Sequence, residues 1–265
     1  MPAPKIPNIK NPRLLLLFLD GVGVGDKDPA ANPLALFPDV WPTRRAAPTR
    51  SGLHYKPLDA CLGVEGLPQS ATGQTALLTG VNAPALIGRH VQGFPSRRLI
   101  EILQERSIFV QLKGCGRSAT FANAYRFPEE ASTQVRLSVT SHALKASGQP
   151  FRSLDQLWKH EALTHDFTNQ RLLERGYEVP LFSPEEAAQV LVNLAVGYDF
   201  TLYEHFLTDL IAHRGTLQEI ADHVLSVTLF LRACLEEAEK AGIIVILTSD
   251  HGNLEDSNGH THTRN

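Results

Sequence analysis

Thr216-Leu-Gln-Glu219, then Gly242-Ile-Ile-Val-Ile-Leu247 running into Thr248-Ser-Asp-His-Gly-Asn253, carry the reading of the fold. Thr216 and Glu219 form a capping box that opens a helix. Ile220, Val224, Val227, Leu231 and Leu235 then recur at helical spacing until Gly242 stops it. The apolar run that follows shows no polar alternation, the pattern of a strand covered on both faces. Leu14-Leu-Leu-Leu-Phe-Leu19 repeats that pattern near the start of the chain. A second capping box, Ser183-Pro-Glu-Glu186, has proline at the first helical position and opens a helix through Val190, Leu191 and Leu194. Residues 198–206 read as another strand, with 209–215 as the loop after it. Solid strands separated by amphipathic helices predict an α/β protein: three layers, α/β/α, around a mainly parallel central sheet.

The rest of the chain is less periodic. Residues 1–12 read as a flexible, proline-rich tail, and 26–66 as a meandering segment with a short helix near 32–36. A short helix is expected over 75–79. Ser96 caps one helix over 97–106, Ser107 caps a second, and 118–125 reads as a strand. The mixed pattern of 128–180 suggests a small lid or accessory insertion. The core then comprises 13–127 and 181–265.

A chain of 265 residues with 43% hydrophobic and 20% charged residues is globular. At this size it buries roughly three quarters of its unfolded surface and needs neither disulfides nor a structural metal. Any metal would therefore serve function. A formal charge of -3 argues against a general nucleic-acid binder. Cys61, Cys115 and Cys234 are odd in number and lack a C-x-x-C pair, which points to a reducing cytoplasm rather than a disulfide framework. The run 14–19 ends at Asp20, too short to span a membrane. Eleven histidines, several near carboxylates late in the chain, make metal chemistry the leading idea.

Ligands of such sheets sit at the carboxyl ends of the strands. Asp20 follows the first strand, Asp250-His251 the last, and Asp209 and His213 a third, so topology alone brings them to one rim. Asp209 and His213 are spaced i, i+4, which suits either one shared ion or an ordinary helix-turn pair. Asp250 and His251, as neighbours at a strand end, should point in different directions and serve two adjacent metals. His262 is a candidate third ligand, with His260 its rival. Residues 66–75 look like a turn into a helix N-terminus, where Ser70 is either an exposed nucleophile or, with Thr72, a simple cap. Gly21, Gly23 and Gly25 do not make a dinucleotide loop, because Asp20 interrupts the strand-to-glycine step. Arg89, His90 and Asn123 are candidates for binding substrate phosphate.

Taken together, Leu19-Asp-Gly-Val-Gly23, Ser70-Ala-Thr-Gly-Gln74, Asp209-Leu-Ile-Ala-His213, Thr248-Ser-Asp-His-Gly-Asn253 and His262-Thr-Arg-Asn265 resemble, in order, the motifs of the alkaline phosphatase superfamily. The resemblance is to its cofactor-independent phosphoglycerate mutase and phosphopentomutase branch. It implies two divalent metals, manganese or zinc: one held by Asp209, His213 and His262, the other by Asp20, Asp250, His251 and the Ser70 oxygen. It further implies that Ser70 is phosphorylated in mid-reaction and that the partner is a small phosphate ester. Two departures bear on the reaction. Gln74 stands where the mutase pattern has histidine, and the large inserted substrate domain is at most 128–180 here. Both favour a phosphatase or phosphodiesterase over a phosphomutase; a catalytically silent metal-binding module is the alternative outside enzymes. The family pattern also continues past Asn265 into Val-Pro and a further strand, so the resemblance implies a longer chain.

Overall fold

A computed structural model describes residues 12–127 and 136–265. Nearly all of the expected tail, and the first part of the expected insertion, lie outside the described residues. The strands are β1 (Arg13–Leu19), β2 (Ala119–Phe121), β3 (Ala124–Tyr125), β4 (Arg152–Ser153), β5 (Phe200–His205) and β6 (Ile243–Thr248). The helices are α1 (Ser70–Thr79), α2 (Ala83–Ile87), α3 (Arg97–Arg106), α4 (Ile108–Gly114), α5 (Val139–Ala146), α6 (Leu154–Trp158), α7 (Gln170–Glu174), α8 (Pro184–Ala195), α9 (Leu207–Arg214) and α10 (Leu217–Ala241).

Strands β2, β5, β1 and β6 lie side by side in that order, every pair parallel. The reason is visible in β1. Leu15, Leu17 and Leu19 point into one core with Val190 and Leu191 of α8 and Val224, Val227 and Leu231 of α10. Leu14, Leu16 and Phe18 face a second core with Ala71 and Leu78 of α1, Leu99 and Leu103 of α3, and Val139 and Leu144 of α5. A strand without polar alternation is stable only when both faces are covered, and each buried leucine contributes about 1.5–3 kcal/mol. The three-layer α/β/α fold follows.

The helix signals hold locally. Ser183 and Thr216 close their capping boxes, and Gly242 ends α10 in the left-handed region at φ 66°. Ser96 and Ser107 cap α3 and α4. The short helix expected near 32–36 forms as a 3-10 helix, Pro33–Leu36, capped by Asn32. Two expectations need correction. Residues 209–215 are not a loop: α9 starts directly after β5, without a capping side chain at Phe206. The expected strand over 118–125 divides, β2 joining the large sheet and β3 pairing with β4. Arg152 of β4 stitches that division together. It is buried and donates to the carbonyls of Phe121 and Glu161, to Thr120 Oγ1 and to the Tyr198 hydroxyl.

In register, Leu19 of β1 pairs with His205 of β5, and Phe18 pairs with Thr248 of β6. Asp20, α9 and the 249–251 segment therefore leave the sheet at the same edge. β6 is one edge of the sheet, and a cleft of about 910 Å³ lined by β6 and residues 50–60 reaches Asp250 and His251. Among the described residues no helix is long and apolar enough to cross a membrane.

Candidate metal centre

Five pieces of chain meet at that edge. Asp20 ends β1. Ser70, Gly73 and Gln74 share one face of the first turn of α1, at i, i+3 and i+4. Asp209 and His213 stand on α9, Asp250 and His251 follow β6, and His262 returns on the last described segment. The Ser70 side chain does not cap α1, whose N-cap is Gln69. Its Oγ lies 3.0 Å from His251 Nε2. That same nitrogen is 3.2 Å from Asp20 Oδ1 and 3.7 Å from Asp250 Oδ2. On the other side, His213 Nε2 is 3.4 Å from Asp209 Oδ2, and His262 Nε2 is 3.7 Å from Asp209 Oδ1. The His251 and His262 rings stack with centroids 3.7 Å apart, joining the two halves.

The side chains sort into two overlapping sets. One donor atom from each of Asp20, Asp250 and His251 lies within 4.8 Å of the others, and the same holds for Asp209, His251 and His262. His251 belongs to both sets, and His213 touches the second through Asp209. Asp250 and His251 do not diverge. β6 ends at Thr248, so strand alternation no longer governs them and both turn inward. His260, the rival of His262, is exposed and uses Nδ1 on the Ala212 carbonyl.

The histidines share one hydrogen-bonding pattern. His213 Nδ1 contacts the His260 carbonyl at 2.8 Å, His251 Nδ1 that of Gly252 at 3.2 Å, and His262 Nδ1 that of Pro68 at 3.1 Å. A carbonyl only accepts, so in each ring Nδ1 carries the hydrogen. Nε2 is left facing the carboxylates. This is the outer-shell arrangement that orients imidazoles toward a metal. Two buried oxygens at the site, Asp20 Oδ1 of a carboxylate and Asn253 Oδ1 of an amide, lack a hydrogen-bond partner. Gln74 Nε2 donates to Asp20 Oδ2 at 3.2 Å and to Asp250 Oδ2 at 3.3 Å, and Asn253 Nδ2 to Asp209 Oδ1 at 2.8 Å.

Electrostatics agree. Burial, then the neighbouring Asp250 charge, pushes the Asp20 carboxyl well above its usual range, and burial raises Asp250 as well. Burial opposes charge on His251, yet Asp250 and Asp20 outweigh it and raise the imidazole to about 10. Burial and the nearby His251 lower His262. Closely spaced buried acids held together by one shared imidazolium are a charge deficit that a divalent cation would fill. The donor set of carboxylate oxygens and imidazole nitrogens fits manganese or zinc.

Two glycines let the pieces approach. A Cβ on Gly21, at φ +69°, would lie 2.6 Å from Asp209 Oδ1, and one on Gly73 would lie 2.9 Å from Asp250 Cβ. Gly73→Ala is therefore expected to destabilise the chain by about 1–3 kcal/mol in urea unfolding, the range for overpacking. The gain in helix propensity alone would predict stabilisation of up to about 1 kcal/mol, so the sign of the change decides whether α1 and Asp250 are in tight contact.

The proposed substrate contacts lie apart from this cluster. Arg89 is exposed and, with His90 and Gln69, lines a cavity of about 470 Å³ adjoining Ser70 in sequence. His90 Nε2 is 3.3 Å from the Val64 carbonyl. Asn123 is buried, and its amide bonds both the N–H and the carbonyl of Glu204. Gln74, which the sequence marked only as a departure from the mutase pattern, and Asn253, quoted only within a motif, complete the site. The i+4 spacing of Gln74 from Ser70 was the available signal.

Known proteins match part of the chain. The Metalloenzyme superfamily model matches residues 176–265, which include Asp209, His213, Asp250, His251 and His262. A 2,3-bisphosphoglycerate-independent phosphoglycerate mutase from Wolinella succinogenes is 42% identical over 74 residues, 28% of this chain and only 15% of that protein. The structure of PH0037 protein from Pyrococcus horikoshii compares at a TM-score of 0.48 and 12% identity, over 96% of this chain and 83% of that one. Residues 176–265 are thus similar to the Metalloenzyme superfamily, and the partial mutase match supports a relation to the alkaline phosphatase-like, cofactor-independent mutase branch.

Proposed function

We propose that the chain is a two-metal-dependent phosphoryl-transfer enzyme that hydrolyses a small phosphate ester through phosphorylated Ser70. The observation that carries this reading is the shared orientation of His213, His251 and His262. Each gives its Nδ1 hydrogen to a backbone carbonyl and turns Nε2 toward the aspartates of the cluster. Asp209, His213 and His262 would hold one cation; Asp20, Asp250, His251 and Ser70 Oγ would hold the other. When bound, such cations lower the pKa of a coordinated hydroxyl and offset the charge of phosphoryl oxygens.

The chain supplies the rest. Ser70 is the first residue of α1, where free backbone N–H groups and the helix dipole favour an ionised oxygen. Attack by Ser70 Oγ breaks the ester P–O bond, and the alcohol leaves with a proton. Water then cleaves the phosphoserine, restoring the hydroxyl and releasing phosphate. Gln74 spans Asp20 and Asp250 and orients both. Arg89 and His90 are proposed to bind the substrate phosphate from the adjoining cavity.

Adding Mn²⁺ or Zn²⁺ to metal-free protein is expected to start phosphate release from an aryl phosphate, and a chelator to stop it. The partial mutase match supports a second reading, phosphomutase. Interconversion of phosphate-ester isomers without free phosphate would favour it. Metal uptake with no turnover of either kind would leave a silent binding module.

A further inference from the structure

We propose that Glu255, which faces neither cation set, is the positioning residue that locks the three ligand-bearing loops together and so sets the metal affinity of the centre. This rests on the metal-centre reading above. Glu255 is 2% exposed. Its Oε2 accepts from the backbone N–H of Gly23 at 2.9 Å and of Asn253 at 2.8 Å. Its Oε1 accepts from Asn265 Nδ2 at 2.9 Å and from the Thr263 hydroxyl. Gly23 belongs to the loop that begins at Asp20, Asn253 to the loop that carries Asp250 and His251, and Thr263 is the neighbour of His262. One carboxylate thus ties segments carrying ligands of both sets. Through the Asn253 side chain the tie extends to Asp209.

Close approach rather than backbone conformation explains the glycines around it. A Cβ on Gly23 would stand 2.5 Å from Glu255 Cδ, and one on Gly252 would collide with Glu255 Oε1 and Thr263 Oγ1. Backbone hydrogen bonds run along the same seam, from Leu254 to the Gly21 carbonyl at 2.9 Å and from Thr263 to the Gly252 carbonyl at 2.8 Å. All four groups facing the carboxylate are neutral donors. A carboxylate is acceptor-only and can receive all four, which offsets the cost of burying its charge. A hydrophobic residue here would leave two buried backbone N–H groups unsatisfied and free the loop bearing His262.

The test is calorimetric titration of the metal-free full chain with Mn²⁺, beside thermal unfolding in chelator. Glu255→Ala is expected to weaken Mn²⁺ binding about 10–100-fold, the range for loss of an outer-shell partner. Thr263→Val removes only the hydroxyl beside His262. It is expected to weaken binding several-fold while the metal-free melting temperature stays near that of the wild type. Glu255→Gln keeps one oxygen for the two backbone N–H groups, and its amide can donate to the side-chain oxygens of Thr263 and Asn265. It is expected to recover most of the affinity. Should Glu255→Ala fail to fold, Thr263→Val and Glu255→Gln still decide the matter. Wild-type affinity in Thr263→Val, or in a folded Glu255→Ala, overturns the positioning role alone. So does a loss of affinity that only follows a loss of metal-free stability. A wild-type chain that takes up no Mn²⁺ overturns the metal centre itself and this inference with it.

Discussion

Ser70→Ala is expected to lower phosphate release from an aryl phosphate by about 10³-fold or more, since loss of a catalytic nucleophile removes a whole covalent route. The fold should not suffer. Ser70 Oγ caps nothing, and alanine is the better helix former by a few tenths of a kcal/mol. Among the described residues the Ser70 hydroxyl hydrogen-bonds His251 Nε2 at 3.0 Å. Mn²⁺ uptake should therefore persist, weakened only by loss of one oxygen donor. The measurements are steady-state phosphate release, the melting temperature, and mass spectrometry of the acid-quenched protein for a phosphoryl group on Ser70. A variant with wild-type turnover would remove Ser70 from the reaction and leave the metal centre standing.

The second large effect concerns Glu204, on β5 beside His205. It is 7% exposed and accepts a hydrogen bond from Thr140 Oγ1 at 2.6 Å. Burial pushes its carboxyl up to about 7; the Thr140 bond opposes the rise and the Asp250 charge adds to it. The folded chain therefore holds this proton where the unfolded chain has released it. The stability linked to that proton is fully present below the unfolded value near 4.5 and is lost as pH rises through about 7. A shift of that size is worth about 3 kcal/mol. Glu204→Gln, neutral at every pH and close in shape, is expected to match the wild type near pH 4.5. Above pH 7 it should be more stable by about 3 kcal/mol in urea unfolding with chelator present. A pH-independent difference between the two proteins would place the Glu204 carboxylate in a polar setting instead.

Where local chemistry decides, the sequence was legible. Ser183 with Glu186, and Thr216 with Glu219, specify helix starts by hydrogen bonds within four residues, and both capping boxes form. Leu14 to Leu19 needs apolar neighbours on both faces whatever the rest of the chain does. Helix α9 was missed as a helix because its start has no capping residue. It is held from outside, by packing and by Thr208 Oγ1 donating to the Asp20 carbonyl at 2.6 Å. Nothing local in 118–125 signals that β4, far along the chain, pairs with Ala124 and Tyr125 and so draws them away from the large sheet.

For the site, residue types and the rim on which they gather follow from the sequence, since strand polarity in a parallel sheet sends every following loop to the same edge. The sequence by itself determined the layered α/β architecture and the inventory of Asp20, Ser70, Asp209, His213, Asp250, His251 and His262. Only the tertiary structure decided that His251 faces both groups of aspartates, that His262 enters the cluster while His260 stays outside, and that Gln74 and Glu255 brace it. Those outcomes depend on distances between atoms far apart in the chain. Spacing along a polypeptide carries no record of such distances until burial and hydrogen bonding select one arrangement.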